Sequence, residues 1–439
     1  MPPSLIGHDG PTKRPLRQAR AIPVRGRRTR RLPRLRRTPA AALLLTLLAL
    51  LAPELLRAPT LAGDEPPAAP AALRWLDESP PTPAPDIGAG LDLDRRVAGG
   101  PVGMAPLPSL PAPESATVDA ESFVRALDAA RAHGEAHGIA FAAVRNGELL
   151  WTGASGRERD GRTPLGPDST MVIGSVTKTF VAAAILRLAE EGRLELDDPV
   201  SRHLPAVDVS DEITVRQLLD HTSGLADVFN DTSRGWLEDA PGRARTADEI
   251  LGAVRDPWYE PGEGWAYANT NYFLLGLIVE RLTGQPLDAV LTSRLLAPLG
   301  LDSTRMLTGA PGDPLEPAWV TIFWASGAMT STAADLARWG DALYAGEVLT
   351  PPSRTRMLTV NDHDYGLGAQ RIEVGRLTGY GHTGLLNTYT TLLLHLPDEQ
   401  VTVALLVNRS HVDLLGMLRA DPARGQPSLL DLARGLDGR

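Results

Sequence analysis

Ser175-Val176-Thr177-Lys178 opens a helical stretch that runs to Glu191, with Phe180, Ala184, Leu186 and Leu188 among its apolar positions and Gly192 as its stop. The chain holds two lysines, Lys13 and Lys178, among 44 basic residues. Arg therefore serves wherever surface charge is needed, and Lys178 marks a place where Arg will not do. A guanidinium stays protonated, whereas a buried amine is driven towards its neutral form near pH 7. Residues i and i+3 share a helix face, so the spacing predicts Lys178 within reach of the Ser175 hydroxyl. A serine hydroxyl attacks well only when a neighbour takes its proton. The helix start adds backbone N–H groups aimed at any negative charge that develops there.

Two later segments fit the same chemistry. Tyr267-Ala268-Asn269 sits within Trp265 to Tyr272. A phenol beside a cationic amine is expected to lose its proton more easily and to pass protons to a leaving group. Asn269 offers both a donor and an acceptor to a substrate amide. His382-Thr383-Gly384 follows Gly381, just ahead of a strand expected from Thr388. Gly384 lets substrate backbone come close, and the Leu385 N–H is placed to hold an oxyanion. Taken singly these strings are ordinary: a helix-surface pair, a turn with a packed aromatic, a loop. Their order gives them weight.

In that order the three segments resemble the active-site motifs of the serine beta-lactamase and penicillin-binding protein superfamily. The chain is most similar to the branch holding class C beta-lactamases, D-alanyl-D-alanine carboxypeptidases and related esterases. His221-Thr222-Ser223-Gly224-Leu225, Leu274-Leu275-Gly276, Pro298-Leu299-Gly300-Leu301, Ser326-Gly327 and Ser331-Thr332-Ala333 match as well, so the similarity covers roughly residues 120–410. It implies an α+β, beta-lactamase/transpeptidase-like fold. In that fold an antiparallel sheet is flanked by helices, and a helical subdomain is inserted, with the site between them. It also implies acylation of Ser175 by an amide or ester carbonyl, a base role shared by Lys178 and Tyr267, and release of the acyl group by water. Asn269, His382, Thr383, Gly384 and Leu385 would contact substrate, the N–H groups of Ser175 and Leu385 forming the oxyanion hole. No metal or cofactor is needed. His382 departs from the lysine that many beta-lactamases carry there. With an ordinary pKa of about 6.5 it is partly charged at neutral pH, and it resembles the carboxypeptidases and esterases more. The leading expectation is a D,D-carboxypeptidase-like hydrolase of D-amino-acyl peptides, with esters and beta-lactams as neighbouring substrates. The alternative is a penicillin-recognising sensor that acylates without efficient turnover. His221 is expected to cap and turn its loop rather than to react.

The rest of the chain supplies the frame. Residues 121–137 have the pattern of an amphipathic helix, with Phe123, Leu127 and Ala130 on one side. Ile139–Arg145 and Leu149–Thr152 flank Asn146-Gly147, a hairpin signal. Residues 193–370 are mostly helices and loops, and strands are expected at Thr388–Leu396 and Val401–Asn408 across Pro397-Asp398. Further helices are expected at Val412–Leu418 and near Leu429–Leu436.

Composition and charge bound the partners. An apolar share of 43% and a charged share of 22% suit a globular chain. Residues 1–40 carry twelve Lys or Arg against the single acid Asp9, in a chain of net charge -9. The acidic remainder gives no reason to expect nucleic acid. The basic arm precedes an apolar run, Ala40 to Ala52, with small residues at Ala62-Gly63. Residues 1–62 therefore read as a signal peptide or signal anchor of an exported protein, and residues 40–52 as a possible membrane tether. Residues 63–118 form a Pro/Ala/Gly-rich linker and 119–439 the hydrolase domain. Without cysteine there is no disulfide and no thiolate metal site. Oligomeric state is not legible.

Overall fold

The computed structural model describes residues 119–423 and 425–435. The expected signal segment and linker lie outside the described residues. The described part begins with helix α1 (Ala120–His133) and strands β1 (Gly138–Arg145) and β2 (Glu148–Gly156). Short strands β3 (Met171–Val172), β4 (Arg305–Met306) and β5 (Met329–Ser331) form a small sheet. β6 (Gln370–Val374), β7 (Leu377–Leu386), β8 (Tyr389–Leu396) and β9 (Val401–Val407) complete the large one. Its order is β2-β1-β9-β8-β7-β6 and every pairing is antiparallel, so strands from both ends of the domain meet at β1–β9. This is the expected α+β arrangement.

Side-chain alternation sends the two faces of the sheet into separate cores. Ile139, Phe141, Ala143, Leu392, Leu394, Val403 and Leu405 pack with α1 and the short helices Leu414–Leu418 and Leu429–Ala433. Ala140, Ala142, Leu393, Ala404 and Leu406 face the opposite core. That core is built on α2 (Thr177–Glu190), α3 (Asn269–Thr283), α4 (Pro317–Gly327) and α5 (Ala333–Asp341). With both faces covered, β8 and β9 are buried from end to end and read in sequence as continuous apolar runs. α2 is buried almost all round, which makes it the central helix and its first turn a rigid platform.

The Asn146-Gly147 turn has φ of 52° and 84°, the two left-handed residues that the hairpin requires. Three boundaries differ from expectation. α1 stops at His133, where Gly134 caps it, instead of running to 137. Ser175 sits in a 3-10 turn, Gly174–Val176, and the α-helix starts only at Thr177. The third motif lies inside β7, the second arm of a β6–β7 hairpin, and not in a loop ahead of a strand. Gly379, Gly381 and Gly384 break the apolar alternation there, which hides the strand from a pattern reading.

Candidate active site

Gly174 has φ of 51°, and a side chain there would come within 2.9 Å of the Leu385 nitrogen. Only glycine lets the chain turn this sharply while lying against β7. The turn leaves Ser175 half-exposed and directs Lys178, one turn on, into the interior, where it is fully buried.

The Lys178 amine lies 3.1 Å from Ser175 Oγ, 2.8 Å from Asn269 Oδ1 and 2.8 Å from the carbonyl of Ser326. Asn269 stands at the start of α3 and Ser326 at the end of α4. Burial pulls the amine well below the ordinary lysine range, and the nearby Asp227 carboxylate offsets part of this. The partners decide what a neutral amine does here. Asn269 Oδ1 and the Ser326 carbonyl can only accept. The two hydrogens of a neutral amine therefore go to them, and its lone pair is left facing Ser175 Oγ. An amine so held can accept a proton from Ser175 Oγ.

Asp227, not foreseen as a site residue, fixes the Asn269 amide. Its Oδ2 accepts from Asn269 Nδ2 at 3.1 Å, while its Oδ1 accepts the N–H groups of Asn269 at 3.1 Å and Phe229 at 3.0 Å. With Nδ2 committed to Asp227, the oxygen of that amide has to face Lys178. Burial raises the Asp227 carboxyl to about 6. The signal for it was faint: one acid just past His221-Thr222-Ser223-Gly224-Leu225.

Tyr267 differs from expectation. The Lys178 amine lies over its ring face, 4.7 Å from the centroid, and the hydroxyl is hydrogen-bonded with Ser175. Burial pushes the phenol pKa up, against the pull of the Ser175 hydrogen bond. It is thus a neutral phenol beside the Ser175 hydroxyl, not an acidified one. His221 holds it from behind. The imidazole is buried, packs 4.3 Å from the Tyr267 ring, and accepts at Nδ1 from the Ala268 N–H at 3.2 Å and from Asn271 Nδ2 at 3.0 Å. These contacts brace the Tyr267 segment as well as its own loop.

His382 also differs. Its imidazole is fully buried, with Nδ1 2.5 Å from the Thr383 carbonyl and Nε2 2.8 Å from Tyr365 Oη. A carbonyl accepts only, so Nδ1 carries the proton and Nε2 accepts from the Tyr365 hydroxyl. Burial, with Lys178 nearby, lowers its pKa to about 3. At neutral pH the third motif therefore carries no cation. Tyr365 gave no signal in the sequence.

Gly384 and Leu385 lie directly against the Ser175 turn. A Cβ on Gly384 would stand 2.0 Å from the Ile173 carbonyl oxygen and 3.3 Å from the Ser175 nitrogen. Backbone N–H groups along an antiparallel strand alternate between its two edges. Thr383 sends its N–H to Gln370 Oε1 at 2.9 Å, away from β8, so Leu385, two residues on, sends its own the same way, across the edge facing Ser175. Ser175 and Leu385 are both half-exposed among buried neighbours, so substrate can reach the seam between them. A carbonyl oxygen there would receive two donors while its carbon faces Ser175 Oγ.

The sequence profile of the family described as Beta-lactamase matches residues 123–422. The chain belongs to the Beta-lactamase family. Among proteins similar to this family member is penicillin-binding protein 4* of Bacillus subtilis, 27% identical over 305 residues, 61% of this chain and 67% of that one. A solved D-stereospecific amidohydrolase from Streptomyces sp. is 30% identical over 66% of this chain and 94% of its own, with a TM-score of 0.57. The D-amino acid amidase of Ochrobactrum anthropi SV3, complexed with L-phenylalanine amide, is 27% identical over 66% and 90%, with a TM-score of 0.56. These relatives support serine hydrolase chemistry for the beta-lactamase-type domain.

Proposed function

We propose that Ser175 is the nucleophile of a serine hydrolase that forms an acyl-enzyme with D-amino-acyl amides and peptides. One observation carries the reading: the Lys178 amine is buried between two acceptor-only oxygens that leave its lone pair for the Ser175 hydroxyl. Ser175 Oγ adds to the substrate carbonyl and its proton passes to Lys178. The oxyanion rests on the N–H groups of Ser175 and Leu385. The C–N or C–O bond then breaks, the leaving group taking the proton back from Lys178 through the Tyr267 hydroxyl. Water repeats the sequence on the ester to free the acid and Ser175. The similarity to D-stereospecific amidohydrolase and D-amino acid amidase supports an acyl group of D configuration. The neutral His382 supports amide or ester substrates over those that need a fixed cation for a carboxylate. D,D-carboxypeptidase-like cleavage, ester hydrolysis and beta-lactam hydrolysis belong to the same chemistry and are separated by a substrate panel. In the same reading residues 1–62 direct export, as signal or anchor, because twelve cations precede an apolar core. Cell fractionation of full-length and residue-63-start forms tests that part.

A fluorophosphonate probe is expected to label Ser175, and a chromogenic D-amino-acyl ester to turn over many times per site. Labelling of a Ser175→Ala variant at the wild-type rate would remove the nucleophile. A single burst without release would favour the sensor alternative.

Tyr267→Phe is expected to slow acylation or deacylation about 100-fold, the lower end of the range for one proton-transfer group. Stopped-flow rates equal to wild type in both steps would take Tyr267 out of the proton path.

Asp227→Asn tests the orientation of Asn269 and carries a pH signature. The wild-type carboxylate favours the Lys178 ammonium, so removing it lets the amine lose its proton at lower pH. Because the neutral amine is the active form, the acid limb of kcat/KM is expected to move to lower pH. The plateau is expected to fall about tenfold, because an amide in place of the carboxylate lets the Asn269 side chain turn and present Nδ2 to Lys178. An unmoved limb and plateau would show Asp227 to be uninvolved.

A further inference from the structure

β6 begins at Gln370, which lies opposite Gly381 in the sheet register. From His382 onward no strand among the described residues pairs with β7 on that edge, yet the edge is not open. The Gln370 side chain reaches along it, and its Oε1 accepts both the Thr383 N–H at 2.9 Å and the Thr383 hydroxyl at 3.2 Å. Gln370 is 5% exposed, and its Nε2 is buried without a hydrogen-bond partner. An orphaned buried donor costs stability, so this amide is not there for stability alone. The carboxamide does for Thr383 what the backbone of one more β6 residue would do. With His382 spent on Tyr365 and the Thr383 carbonyl, Leu385 supplies the next edge donor of the third motif.

Extended peptides bind sheet edges by adding a strand, which takes alternate backbone donors along the edge. We propose that Gln370 is a specificity-determining residue. It closes the β7 edge at Thr383, one rung from Leu385, and so excludes chains that run back along β7 from the scissile carbonyl. This deepens the reading of Ser175 as nucleophile and rests on it.

The test compares kcat/KM for D-alanine p-nitroanilide with two extended compounds. One is lengthened on the acyl side (acetyl-glycyl-D-alanine p-nitroanilide), the other on the leaving side (D-alanyl-glycyl-glycine amide). In Gln370→Ala and Gln370→Val the extended-to-single ratio is expected to rise at least about tenfold for one series, chiefly through a lower KM, as the freed Thr383 N–H adds one strand-type hydrogen bond. Gln370→Glu keeps acceptors for Thr383 and is expected to leave the ratio at the wild-type value. Ratios unchanged in both Ala and Val variants that still take the fluorophosphonate label would overturn the proposal. So would a rise as large in the Glu variant. Failure of the wild-type protein to take the label at Ser175 is a distinct result: it removes the nucleophile, and the edge argument falls with it.

Discussion

Lys178→Arg is expected to lower the acylation rate about a thousandfold, within the range for loss of a general base, although it keeps a positive charge on the same helix. The amine sits at zero exposure, 2.8 Å from each of two oxygens that can only accept. A guanidinium in that place satisfies both oxygens and still offers no lone pair to Ser175, because it does not deprotonate. It also brings a larger and permanently charged group into a buried space fitted to an amine, so the variant is expected to melt at lower temperature. Lys178→Met separates the two effects. It removes the base without adding a charge, and leaves Asn269 Oδ1 and the Ser326 carbonyl each short of one donor. Both variants are expected to be inactive with the fluorophosphonate probe while circular dichroism shows a folded domain. Probe labelling of Lys178→Arg at the wild-type rate would mean that the Ser175 proton goes elsewhere.

The part of the site that was legible in sequence is the part set by local geometry. Ser175 and Lys178 are three residues apart on a helix start, and that spacing alone brings the hydroxyl to the amine. The Asn146-Gly147 hairpin is equally local, since its two φ angles demand those residue types. The charge states were not legible. His382 is neutral because Tyr365 and the surrounding core enclose it, and Tyr267 keeps its proton because burial outweighs its hydrogen bond with Ser175. Neither enclosure can be read from the flanking residues. The same holds for Asp227 beside Asn269 and for Gln370 beside Thr383. Each contact joins separate elements, and the second depends on the register of a hairpin whose glycines conceal it. The family resemblance located the motifs but left open which of their polar groups are already spent within the protein.

Gly384→Ala is expected to cost about 10²- to 10³-fold in kcat, the range for loss of one oxyanion donor, with no change to any side chain that reacts. The new Cβ would lie 2.0 Å from the Ile173 carbonyl oxygen, a backbone atom with no rotamer to move. β7 and the Ile173–Ser175 turn must therefore part by about an ångström, since carbon and oxygen pack no closer than about 3 Å. The Ser175 and Leu385 N–H groups lie on opposite sides of that seam. Parting them means that a carbonyl oxygen reaches one donor and misses the other. Overpacking also costs about 1–3 kcal/mol of stability, so a control of the same chemical kind is needed. Gly327 supplies it: a Cβ there meets Phe323, Leu386 and Gly174 only at 3.5 Å or beyond, an ordinary contact distance. Gly327→Ala is expected to keep most of the activity. If Gly384→Ala loses stability and yet acylates like wild type, the two N–H groups do not hold the oxyanion together, and the donors must be sought elsewhere along the cleft.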